Sequence, residues 1–177
     1  MASWRQMTFD DIPQVVQVAD QIHPGLPEGE YVFAERVKLF PKGCLVLVLV
    51  DGSMSKILGY AVSHPIRYRQ PPALDSLLGE IPPDADQYYI HDVAVLPEYR
   101  GHGSAAKAVQ MLLEVTGEYT YETTCLVSVY GTGPLWRRFG FEEELAGRLR
   151  EKLRGYGEDA VYMSRRNLLK GEQGLMQ

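Results

Sequence analysis

Apolar positions along this chain recur with two periods. From Ile12, the residues Val15, Val16, Ala19 and Ile22 return at helical spacing. Pro13 falls in the first turn, where its missing N–H removes no helical bond, and Thr8 or Asp10 stands where a cap belongs. The spacing predicts a helix that ends at His23-Pro24-Gly25, and a second over 30–40 with Phe33, Ala34, Val37 and Phe40 as its stripe. A short strand over 4–8 precedes them. The continuous apolar run 45–50 suits a strand buried on both faces, and Asp51-Gly52-Ser53 turns it into a hairpin partner over 57–66. Residues 69–86 are rich in proline and acidic side chains and read as a long loop with one short helix near 74–78. Loops of that length inside a compact domain are often functional.

The second half predicts a strand over 88–96, a polar turn over 98–103, and a helix over 104–116 with Ala105, Ala108, Val109, Leu112 and Leu113 inward. A strand over 125–129, a short helix over 134–139, a charged helix over 142–153 and a last strand over 160–164 follow. Two helices, a hairpin, then strand–turn–helix–strand imply an α/β class with a mixed central sheet flanked by helices. No repeat or linker divides the chain. One domain is expected over 1–177, with its core over about 4–166 and a polar tail from 171.

Composition narrows the function classes. The chain has 177 residues, 45% hydrophobic and 23% charged, ordinary for a globular domain. A net charge of −5 argues against a nucleic-acid partner, which a basic face would serve, and mildly favours cationic ligands. The two cysteines, Cys44 and Cys125, open apolar runs and read as buried thiols. The longest apolar run is too short to span a bilayer, and the first residues carry no export signal. A cytoplasmic protein, monomer or homodimer, with no membrane partner is expected. No histidine and carboxylate spacing suggests a metal.

The chemistry concentrates in 88–105. A strand, a turn with Gly101 and Gly103, and a helix start at Ser104 can aim several backbone N–H groups at one anion. A plain strand-to-helix turn remains the alternative. The phosphate-loop pattern fails because no Gly-Lys-Ser/Thr follows, and the dinucleotide fingerprint lacks its third glycine.

Arg100-Gly101-His102-Gly103-Ser104-Ala105 resembles the Gln/Arg-x-x-Gly-x-Gly/Ala signature of the GNAT acetyltransferases. The preceding 92–99 resembles the strand and loop that lead into it, and Leu135-Trp136-Arg137-Arg138-Phe139-Gly140-Phe141 resembles the family's short helix ending in Gly-Phe. The resemblance implies acetyl-CoA as co-substrate, no metal, and transfer of the acetyl group by direct attack of a primary amine. By position it implies that Arg100, Gly101, His102, Gly103, Ser104, Ala105 and Ala106 hold the pyrophosphate. The strand Val93, Ala94 and Val95 would run beside the pantetheine arm, with the Val93 N–H polarising the thioester carbonyl.

The strand motif His91-Asp92-Val93-Ala94-Val95 is similar to that of arylalkylamine- and polyamine-type members. Histidine titrates near neutral pH unaided, which makes His91 the candidate base. A hydrogen-bonded structural histidine is the other reading. Strand alternation places Tyr89, His91, Val93 and Val95 on one face and Asp92 on the other. Where many members carry a tyrosine as proton donor to the thiolate, this chain has Trp136, whose indole is no useful acid. Either water protonates the thiolate or another group does, with Tyr130 and Tyr156 as the candidate substitutes, each also readable as structural. His64 and His102 read as turn and backbone positions, and Lys107, Arg137 and Arg138 as surface charges. Asp75, Glu80, Asp84 and Asp86 in the long loop suggest a small amine acceptor. Peptide N-termini, or an acyl-CoA sensor without turnover, are the alternatives.

Overall fold

The computed structural model describes residues 1–168, so the expected tail from 171 lies outside the described residues. In chain order the elements are β1 (Ala2–Gln6), α1 (Ile12–Ile22), α2 (Glu30–Leu39), β2 (Cys44–Asp51), β3 (Met54–Ile66), β4 (Gln87–Val95), α3 (Ser104–Thr116), β5 (Thr123–Ser128), α4 (Gly133–Arg137), β6 (Glu142–Glu143), α5 (Arg150–Arg154) and β7 (Val161–Arg166). The strands form one sheet in the order β1-β2-β3-β4-β5-β7-β6. Among the described residues only β4 and β5 pair in parallel, because α3 carries the chain back across the sheet between them. The mixed α/β sheet expected from the pattern is the one observed.

Each face of the sheet buries one helical layer. Ile12, Val15 and Ala19 of α1 and Phe33 and Val37 of α2 pack on Cys44, Val46, Tyr60 and Val62. Ala108, Val109 and Leu112 of α3 pack on the other face, against Tyr88, Ile90, Leu126 and Phe141. Alternation in β2 therefore serves both layers, which is why its sequence is apolar throughout. Cys44 and Cys125 are free and buried, and burial pushes both thiols up to about 12.

Two expectations give way. The loop after β3 contains no helix near 74–78. The segment expected as a helix over 142–153 instead adds β6 to the sheet edge before a turn leads into α5. Its high charge marks an exposed edge strand as well as an exposed helix, and the pattern does not separate the two.

His64 on β3 is fully buried. Its Nδ1–H donates to the Pro65 carbonyl at 3.1 Å, and its Nε2 has no hydrogen-bond partner among the described residues. Burial drives its pKa down to about 3. The unfolded chain takes up this proton near pH 6.5 and the folded one does not, so the stability His64 contributes is present above pH 6.5 and is lost as pH falls. The loss accumulates at about 1.4 kcal/mol per pH unit. His64→Gln does not titrate. Between pH 7 and pH 5, wild type is expected to lose about 2 kcal/mol more unfolding free energy than this variant. Urea unfolding at the two pH values measures the difference, and parallel losses would show that His64 does not govern acid lability.

Candidate active site

The site begins where two parallel strands part. β4 and β5 pair only from Tyr88 to Ile90 against Thr124 to Leu126, yet both strands run further. Beyond Ile90 a wedge opens, and a cavity of about 360 Å³ occupies it, lined by residues 90–95, 126–127 and 129–130 together with Trp136 and the end of α1.

The register fixes what β4 offers to the wedge. Leu96 N–H donates to Leu58 O at 2.8 Å. By alternation, Ala94 and Asp92 also direct their N–H groups at β3, and Val93 and Val95 direct theirs into the wedge. The Val95 carbonyl is taken by Arg100 Nε at 2.8 Å. Ala94 lines the cavity but turns its N–H away from it, so Val93 and Val95 are the residues whose backbone faces the opening.

At the mouth, α3 starts without a side-chain cap, on Gly103 in the left-handed region (φ +76). Gly101 has φ +84. A Cβ at either would meet nothing within 4 Å, so it is the left-handed backbone, not crowding, that selects glycine. The first-turn N–H groups of Ser104, Ala105 and Ala106 have no intrahelical partner. Trp4 Nε1 donates to Ser104 O at 2.9 Å and pins the turn to β1. His102, Lys107, Arg137 and Arg138 are exposed. Uncapped donors, a positive helix end and an open strand edge fit a pyrophosphate with an extended arm.

The cavity floor departs from simple alternation. Val62 pairs with Asp92 and Ser63 with Ile90, so His91 is the extra residue of a bulge. The bulge turns Asp92 away from the face of Tyr88 and Ile90, correcting the face expected for it, and Val93 packs with Tyr88 and Ile90 instead. Two histidine–carboxylate pairs result. His91 Nε2 meets Glu28 Oε1 at 2.5 Å, with side chains only 3% and 8% exposed. His23 Nε2 lies 2.9 Å from Asp92 Oδ2, an ion pair when the imidazole is protonated. Asp92 also accepts the Tyr60 O–H at 2.5 Å.

Burial opposes the charge on Glu28, but His91 outweighs it and holds the carboxyl below its ordinary value. Asp92 is likewise desolvated and likewise held low, by His23 and Tyr60. Burial opposes the charge of His23, yet Asp92 raises it above its ordinary value.

Behind His91 runs a polar chain. His91 Nδ1 is 3.2 Å from Tyr89 Oη, which is 3.3 Å from Tyr156 Oη, whose O–H donates to Pro72 O at 2.8 Å. With His91 protonated, every donor in this chain points one way and ends on a backbone carbonyl. Tyr156 is therefore a buried link in that chain. Tyr130 is at the cavity rim, 57% exposed. Trp136 is buried on Phe141 and closes the inner wall.

The acidic loop plays another part than the sequence suggested. Asp84 pairs with Arg67, Asp86 accepts from Tyr68 N–H, and Asp75 accepts from Gly29 N–H. Glu80 lines a different hollow. Of the loop, Leu74 reaches the cavity, and Asp75 N–H holds Glu28 Oε2 at 3.1 Å. The carboxylates that do face the cavity are Glu28 and Asp92, and neither stands out in the sequence. Glu28 sits in a proline-containing link with no periodicity, and nothing in the sequence signals its partner 63 residues away.

The model of the family described as "Acetyltransferase (GNAT) family" matches residues 12–141. The loading GNATL domain of CurA from Lyngbya majuscula superposes with a TM-score of 0.75 at 15% identity, covering 94% of this chain and 98% of that one. Ard1 from Thermoplasma volcanium gives 0.68 at 16%, covering 94% and 98%. N-acetylglutamate synthase from Neisseria gonorrhoeae, complexed with coenzyme A and N-acetyl-glutamate, gives 0.69 at 18%, covering 95% and 35%. No curated protein matches the chain.

Proposed function

The chain belongs to the GNAT acetyltransferase family, and from that premise we propose that it transfers an acetyl group from acetyl-CoA to a primary amine on a small molecule. The observation that carries this reading is the wedge, with the backbone of Val93 and Val95 open on one side and the uncapped start of α3 at its mouth. The pyrophosphate rests on Arg100 to Ala106, and the pantetheine arm lies along Val93 and Val95. The Val93 N–H donates to the thioester carbonyl as negative charge develops there.

An amine arrives as ammonium and must lose a proton before it attacks. His91 and Glu28 take that proton. Both ring nitrogens of His91 are engaged, so the transfer runs by way of the Glu28 carboxylate or a water at the cavity surface. Tyr130, whose ring is at the cavity rim, offers its hydroxyl to the departing sulfur. A cavity of about 360 Å³ with two carboxylates and an aromatic rim suits a small cationic amine.

Calorimetric titration with acetyl-CoA, followed by CoA-thiol release over an amine panel, tests the reading. Binding with thiol release on a small amine is expected. Binding with release only on peptide N-termini would move the acceptor class, binding without release would leave a sensor, and no binding by folded protein would overturn the reading.

A further inference from the structure

Acyl transfer to an amine leaves a thiolate that needs a proton, and Trp136 on the inner wall has no O–H to give one. Three groups at the rim are arranged for it. Tyr130, just beyond β5, has φ +55, a left-handed backbone that is costly for a bulky residue. Its ring stacks on His23 with centroids 5.5 Å apart and planes at 14°, and its Oη lies 3.4 Å from His23 Nδ1. The other ring nitrogen of His23 is 2.9 Å from Asp92. All three line the cavity. A strained tyrosine held on a histidine, itself held on a half-buried carboxylate, is arranged as a relay.

Resting on the acetyl-transfer reading above, we propose that His23 supplies the proton for the departing thiolate, acting through the Tyr130 hydroxyl. The amine nitrogen bonds to the acetyl carbon, the carbon–sulfur bond breaks, and sulfur leaves with the electron pair. Sulfur takes the Tyr130 hydroxyl proton, and Tyr130 takes the proton on His23 Nδ1. Neutral His23 is recharged from solvent at the rim. Counted from the ammonium, two protons leave nitrogen by way of Glu28 and His91, one reaches sulfur, and one is released to solvent.

The groups facing His23 keep it charged. Asp92 on β4 and Glu28 in the α1–α2 link favour the imidazolium, and Arg100 after β4 opposes it. Tyr60 on β3 and His91 on β4 act on it through Asp92, which both help keep ionised. The sum holds His23 above its ordinary value, whereas the other histidine–carboxylate pair is the proton acceptor. Separating the two protonation roles in this way is how one site runs acid and base chemistry at one pH. His23 does not touch the sulfur. In this scheme the Tyr130 hydroxyl meets it, and His23 is its proton source and positioning residue.

The test compares wild type, His23→Gln, Tyr130→Phe and the double variant. The donors are acetyl-CoA and the acetyl thioester of a CoA analogue whose alkyl thiol is replaced by a more acidic aryl thiol. With acetyl-CoA, kcat is expected to fall about tenfold to a hundredfold in each single variant. The double variant falls no further, because the two act as a unit. With the aryl thioester, which leaves unprotonated, the losses shrink to near nothing. The wild-type kcat falls as pH rises through the His23 value, and His23→Gln lacks that alkaline limb. Equal losses on both thioesters, or an unchanged limb, would overturn the assignment. Turnover indifferent to both substitutions overturns it alone. Absence of thiol release from wild type with any acceptor overturns the acetyl-transfer reading and the assignment together.

Discussion

Replacing His91 by glutamine is expected to lower kcat/KM for acetyl transfer by about 10²–10⁴, the usual contribution of a positioned acid–base group. The acetyl-CoA dissociation constant should stay unchanged. The two effects separate because the His91 side chain lies at the bulge, against Glu28 and Tyr89, while the cofactor arm is proposed to meet the strand further on, at Val93 and Val95. Glutamine keeps a donor for Glu28 and cannot hold the proton. Glu28→Gln should reproduce most of the loss, since an amide neither accepts the proton nor favours an imidazolium. The double variant should lose little more than either single one. Steady-state kinetics over an amine panel, with calorimetric titration of acetyl-CoA, measures all of this. The competing role for His91 is structural: a nearly buried ring with both nitrogens partnered is what a packing histidine also looks like. In that case His91→Gln would lower the urea midpoint and leave kcat/KM near wild type, and the catalytic role would be withdrawn.

The parts of the site visible in the sequence were those that local chemistry dictates. Gly101 and Gly103 announce a turn because only glycine takes positive φ without cost, and Ser104 to Thr116 shows as a helix because its apolar stripe is unbroken. The Arg100–Ala105 signature needs no tertiary information. What stayed hidden depends on contacts distant in sequence or on a single register step. The bulge at His91 reassigns Asp92 to the other face, and period-two alternation has no means of anticipating one extra residue. Glu28 and His23 belong to the link between α1 and α2, where there is no pattern to read. They become site residues only because α1 packs on β3 and β4 and delivers its end beside the bulge. The acidic loop misled for the converse reason. Its carboxylates are conspicuous in sequence, yet they are spent on Arg67 and on backbone N–H groups that shape the loop. The strand at 142–143 stays hidden because a short, charged edge strand carries little periodicity.

Ser104→Asp separates the stability of α3 from the affinity of its N-terminus, and the two should move in opposite directions. The helix starts without a side-chain cap, so a carboxylate in its first turn meets unpaired N–H groups and the positive end of the dipole. That is worth about 0.3–1 kcal/mol to the folded protein, and thermal unfolding should rise by about 1–3 °C. The same carboxylate would stand where the pyrophosphate is proposed to rest. Two like charges about 5 Å apart near a protein surface repel by about 3 kcal/mol at an effective dielectric of about 20. Acetyl-CoA should therefore bind about 10²-fold more weakly, a factor that shrinks as salt rises from about 0.1 M to 1 M and the screening length falls from about 10 Å to 3 Å. Ser104→Asn, of similar size and without charge, should leave the affinity close to wild type. If Ser104→Asp stabilises the fold and leaves acetyl-CoA binding intact, the open helix start is an uncapped end and nothing more, and the phosphates must lie elsewhere. If it weakens binding while raising the melting temperature, the helix has been left uncapped at a cost to its own stability, and the ligand is what completes it.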